Sequence, residues 1–162
     1  MTADDAAEAT HDRPIKELLD LKRRRVRFDQ LFLDPNNPRF GVLRHVSDDR
    51  IPEKGVQEGA EANVEGIGIG DLLTSVRRYG FVPTDPIVVR EFAKDKYVVL
   101  EGNRRLATLR KLVLAHTRGD ETLDKDILRS ATELDVLVYD GEDEDIAWIV
   151  QGLRHMSGIS HR

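Results

Sequence analysis

The chain contains no cysteine. That excludes disulfides, thiolate zinc centres and cysteine nucleophiles alike. Aromatic residues are scarce at 6%, and the single tryptophan, Trp148, is expected in the core and not as a base-stacking platform. No apolar stretch approaches the roughly 20 residues of a membrane helix. The first eleven residues, rich in Ala, Asp, Glu and Thr, have neither the basic region nor the apolar core of an export signal. Cytoplasm is therefore the expected compartment, with no membrane partner. Net basic charge is also missing: the formal charge is -5, which argues against a nucleic-acid binder driven by overall charge.

What is present is the make-up of a globular domain, 40% hydrophobic and 34% charged over 162 residues. Charge is distributed unevenly. Lys22, Arg23, Arg24 and Arg25, with Arg27, form a dense basic cluster, whereas residues 141–145 are acidic. The cluster reads as a solvated helix end or as a contact for nucleic-acid phosphates, and both readings stand at this point. Residues 1–13 are expected to be a disordered tail and 156–162 a second tail, flanking one domain over 14–155.

Along the chain, Pro14 with Ile15, Leu18, Leu19 and Leu21 suggests a short helix ending in the basic cluster. Val26, Phe28, Leu31 and Leu33 suggest an extended segment. Residues 34–39, Asp-Pro-Asn-Asn-Pro-Arg, form a turn-rich loop. From about 41 to 66 no sustained periodicity is visible, and the span is expected to be a long loop or flexible insertion. Ile69, Leu72, Leu73 and Val76 space as a helix closed by Gly80, and Pro83, Asp85 and Pro86 mark a turn. Residues 87–89 and 97–100 read as hairpin partners. A helix follows from Asn103 to about His116, then a short helical segment near 123–129. The alternation of Leu134, Val136 and Val138 predicts a strand, and Ile146, Ile149, Val150 and Leu153 a last helix with Trp148 in its apolar face. The sum is an α+β domain, a small mixed sheet with flanking helices.

One segment concentrates the chemistry. Glu101, Gly102, Asn103, Arg104 and Arg105 join a strand to a helix through a glycine, with two arginines in the first helical turn. A helix start exposes unbonded N–H groups and the positive end of its dipole, so it attracts anions. Arginines there break the usual preference for acids and turn an anion site into a phosphate site. Glu101 and Asp34 are the acids placed for catalysis. For each, a plainer role stays open: ion pairing for Glu101, capping a local turn for Asp34. His45, His116 and His155 lack the spacing of metal ligands, so no metal site is expected. No serine sits in a nucleophile-elbow pattern.

With these residues in view, the chain resembles the N-terminal domain of the ParB/sulfiredoxin superfamily, the ParB-like nuclease domain. The loop at 33–39 looks like that family's Asn-Pro-x-x-Pro-Arg-type box. Glu101 to Arg105 is similar to the Gly-Glu-Arg-Arg phosphate motif, and a helix, a glycine and a Pro-Ile-Val-Val strand lie between them. The resemblance covers roughly 26–155. It implies a nucleoside triphosphate, CTP or ATP, bound at the loop–helix junction. Gly102 and Asn103 would offer backbone N–H groups there, and Arg104, Arg105 and Arg39 the charge. Arg154 and His155 would be phosphate neighbours, and the loop at 34–39 would lie beside the glycine turn. A DNA-associated or regulatory role and a homodimer follow from the same resemblance, with Lys22 to Arg25 as the DNA contact. Phosphotransfer, triphosphate hydrolysis and nuclease chemistry form the enzymatic alternative. A non-catalytic interaction module is a third reading.

The departures from the family also carry information. Asn103 stands where ParB has glutamate, and sulfiredoxin's catalytic cysteine is absent. Residues 151–155 lack the acid and amide that help hold a metal in ParB, which leaves Mg2+ binding open. ParB's helix-turn-helix domain and dimerisation tail have no counterpart in the sequence, and its ending just past an expected site segment reads as a truncation.

Overall fold

Strand-forming residues decide where the sheet lies. The runs Ile87–Ala93 and Lys96–Glu101 are dense in valine and aromatic side chains, which suit a pleated surface buried on both faces. The computed structural model describes residues 21–40, 44–80 and 87–140. Among these residues five strands form one mixed sheet: β1 (Lys22–Arg27), β2 (Leu31–Leu33), β3 (Ile87–Ala93), β4 (Lys96–Glu101) and β5 (Glu133–Val138). Their spatial order is β1-β5-β3-β4-β2. β1 runs antiparallel to β5 and β3 antiparallel to β4, while the β3–β5 and β4–β2 pairs are parallel.

Among the described residues four helices accompany the sheet: α1 (Lys54–Ile67), α2 (Gly70–Tyr79), α3 (Asn103–Thr117) and α4 (Lys125–Thr132). Leu33, Val89, Val99 and Val136 point from one sheet face into a core shared with Val64 of α1 and Leu106 and Leu109 of α3. A smaller cluster of Val76, Leu112, Leu123 and Ile127 binds α2, α3 and α4 together. On another part of the sheet Val88 and Tyr139 pack with Leu21, Leu100 and Leu137. The expected α+β class, the hairpin, the helix from Asn103 and the strand at Leu134 are all observed. α2 is closed by Gly80, as the spacing suggested.

Two expectations need correction. The span expected to be a loop, 41–66, contains a 3-10 turn at Asp48–Arg50 and most of the fourteen-residue helix α1. Its buried face is Gln57, Ala60 and Val64, a stripe with one polar and one very small member, interrupted by glycines. Hydrophobic periodicity is therefore too weak to announce a helix that tertiary packing stabilises. The basic cluster, expected at a helix end, is instead the edge strand β1, with Val26 its one buried residue. Register explains this: Arg25 lies opposite Asp135 and Arg27 opposite Glu133, so β5 supplies cross-strand carboxylates. The helices expected near 14–21 and 146–153 and the turn at 83–86 lie outside the described residues, at least in large part.

β2 is the opposite edge of the sheet, and side chains cap its free backbone. The Gln57 amide donates to the carbonyl oxygens of Leu33 and Ile51, each at 2.9 Å, and accepts from the Leu33 N–H at 2.9 Å. Arg110 of α3 donates to the Leu31 carbonyl and to Gln57 Oε1, both at 2.9 Å. An exposed edge invites pairing with other chains, so this clasp protects it.

Candidate functional site

β4 ends at Glu101, and the chain reverses through Gly102 at φ 110° before α3 begins at Asn103. Only glycine adopts that backbone without strain. Space is tight as well: a Cβ here would stand 3.0 Å from Ile87 Cγ1, with an Arg105 guanidinium nitrogen in ordinary contact at 3.5 Å. The Arg105 side chain thus folds back over the turn. Gly102, the N-cap of α3, has no side chain with which to cap the leading N–H groups of the helix, the kind of group that water or an anion can satisfy. The first turn contains no acid to offset the helix dipole.

Asn103 plays a different part from its neighbours. Its side chain is buried, donating to the Val99 carbonyl at 2.9 Å and accepting the Asp34 N–H at 3.0 Å. That second bond ties the loop after β2 to the glycine turn, as the resemblance implied. The loop is itself built from side-chain caps. Asp34 Oδ1 accepts the Asn36 N–H at 2.9 Å, and Asn37 Oδ1 accepts the Arg39 N–H at 3.0 Å. The Asn36 amide clasps both backbone groups of Val46 at 2.8 Å. Arg39 stands exposed on the 3-10 turn Pro38–Phe40.

Arg104 is engaged with protein. It donates to the Gly68 carbonyl at 2.9 Å and to Asp71 Oδ1 at 2.7 Å, bracing the α1–α2 junction against α3. Glu101, at the mouth of the turn, is half-buried and has interactions of its own.

Asp34 makes the capping contact that the plainer reading requires, yet its environment is unusual. Burial raises its carboxyl above the usual range, against the opposing effects of the Asn36 N–H and the positive charges of Arg90 and His45. Nearby, Asp48 receives both guanidinium nitrogens of Arg90, at 3.0 and 3.2 Å, and this hydrogen bonding lowers its pKa. The β2 end thus carries one ionised carboxylate in a fork with arginine and another that resists ionisation. Sequence reasoning missed Arg90, Asp48, Gln57 and Arg110. Each has a partner at least 42 residues away in sequence, at 42 for Arg90–Asp48 and 53 for Arg110–Gln57, and local patterns do not register such pairs.

Lys22, Arg23, Arg24 and Arg25 lie together on β1, remote in strand order from the glycine turn. Arg24 meets Glu91 at 3.3 Å and Arg25 meets Glu133 at 2.8 Å. Arg154 and His155 lie outside the described residues. Among the described residues no three His, Cys, Asp or Glu side chains form a group able to hold a metal ion. No described helix is long and apolar enough to cross a membrane. A recess of about 370 Å³ between α2 and α4, lined by Arg77, Glu121 and Ile127, does not include the turn.

No known family's sequence profile matches the chain, and no curated protein matches it. Among solved structures it is similar to the C-terminally truncated chromosome-partitioning protein ParB from Caulobacter crescentus, complexed with CTP-gamma-S. The identity is 18% and the TM-score 0.41, over 82% of this chain and 51% of that one. The chain thus spans about half the length of that protein. At this level the likeness assigns neither a family nor a ligand to the chain.

Proposed function

We propose that this chain is a nucleotide-binding module that takes CTP or ATP by its phosphates at the β4–α3 turn, in a DNA-associated or regulatory role. The observation that carries the reading is the start of α3 at Gly102, an N-cap with no capping side chain, with the Arg105 guanidinium beside it. In this reading Gly102 and Asn103 contribute backbone N–H groups and Arg105 grips phosphate oxygens in its planar fork. Arg104 adds charge from its anchored position, and Arg39 approaches on the loop that Asn103 holds. Arg154 and His155 would join from the C-terminal segment. Mg2+ is assigned no ligands here. Calorimetric titration with CTP, ATP and GTP, with and without Mg2+, tests the proposal. A nucleotide that binds wild type and binds Arg105→Ala roughly tenfold or more weakly supports it.

A DNA contact through Lys22 to Arg25 and a nucleotide-dependent homodimer belong to the same proposal. The first predicts binding that weakens steeply with salt, the second a change in sedimentation on adding nucleotide.

One observation favours a second, enzymatic reading. Asp34, whose buried carboxyl has a raised pKa, lies in the loop whose backbone N–H bonds to Asn103 at the turn, and in its ionised form that carboxylate would accept a proton during phosphoryl transfer. Release of labelled product from CTP or ATP that Asp34→Asn abolishes while nucleotide still binds would establish it. No release from wild type would remove it.

A further inference from the structure

β1 is a sheet edge whose one strand neighbour among the described residues is β5. Five of its six residues are basic and exposed. Charge on an edge strand ordinarily keeps other strands away. Here the pairing already made on the inner side shows which strand these charges admit. Arg25 lies opposite Asp135, Arg27 opposite Glu133, and Arg25 Nε meets Glu133 at 2.8 Å. β5 therefore presents carboxylates at alternate positions, on the face where Arg23, Arg25 and Arg27 project.

We infer that the free edge of β1 takes an extended acidic segment of a partner protein as a sixth strand, with alternate carboxylates set against Arg23 and Arg25. Backbone groups along the edge give affinity, and the arginine row gives selectivity for acids. Arg23 lies opposite Leu137, and neither it nor Lys22 meets an acid among the described residues, so both retain charge for a partner. A second copy of this chain is disfavoured, because self-pairing of β1 sets arginine against arginine. The DNA contact proposed above for the same residues is the competing reading, and Glu133 and Asp135, which share the face with the arginines, favour the peptide over a phosphate backbone.

The probe is a synthetic peptide of about eight residues, a normal strand length, alternating glutamate with valine. Amide hydrogen exchange on the full chain reads the result. The expected outcome is that amides within 22–27 slow by roughly tenfold on adding peptide, by formation of new backbone hydrogen bonds. A peptide with a central proline, or with lysine for glutamate, gives no protection. Arg23→Glu loses the effect while core amides keep their protection, because that position lies outside the ion pairs to β5 and β3. Wild type without added protection, equal protection from the proline peptide, or equal protection from duplex DNA would each overturn the inference.

Discussion

Asn103 fixes the geometry of the candidate site although its side chain faces away from solvent. It satisfies the Asp34 N–H and the Val99 carbonyl together, so one residue sets the separation of loop and turn. Asn103→Ala leaves the Asp34 N–H without its acceptor and should cost about 1–3 kcal/mol in urea unfolding. The sequence placed Asn103 in the phosphate segment but could not reveal this side-chain role, because its partner Asp34 is 69 residues distant. Asp34 gives a pH signature. Its carboxyl holds a proton more tightly in the folded chain than at the ordinary value of 3.8. Between 3.8 and the raised folded value the native state binds more protons, so Asp34's contribution to stability falls as pH rises through that window. Asn offers the same oxygen to the Asn36 N–H without a charge to bury. Urea unfolding from pH 4 upward should show Asp34→Asn gaining on wild type as pH rises, then a constant gap. A gap that does not change with pH would contradict the burial argument.

At the scale of elements, legibility followed periodicity. The β3–β4 hairpin, α2, α3 and β5 have apolar positions at the spacing their geometry demands, and each was readable. α1 was not, because its place depends on what Gln57 bonds to and not on how much apolar surface the helix buries. β1 was misread because its arginines find carboxylates across the sheet, a match invisible before β5 is laid beside it. The same logic makes Gln57 a stability test. Gln57→Leu keeps the size of the side chain but strips the partners from Leu33 and one from Arg110, a guanidinium whose pKa burial lowers. We expect a loss of roughly 2–4 kcal/mol in urea unfolding. We also expect self-association through the uncapped β2 edge, read by sedimentation.

For the whole molecule, topology explains why one end of the sheet gathers the site. β2 and β4 run parallel, so both deliver their C-terminal ends to the same edge, and α3 starts there. The loop with Asp34 and Arg39 and the turn with Gly102 and Arg105 thereby become neighbours. The proposal of an anion site at this turn rests on one glycine and two arginines already visible in the sequence. The division of labour was not: Arg104 braces α2, Asn103 holds the loop, and Arg105 covers the turn. The central claim, a triphosphate site at this turn, is tested most directly by calorimetry with CTP and ATP on wild type and Arg105→Ala. The account predicts binding of at least one nucleotide to wild type and affinity roughly tenfold or more weaker in the variant. No binding at millimolar nucleotide, or equal affinity in both proteins, would contradict it.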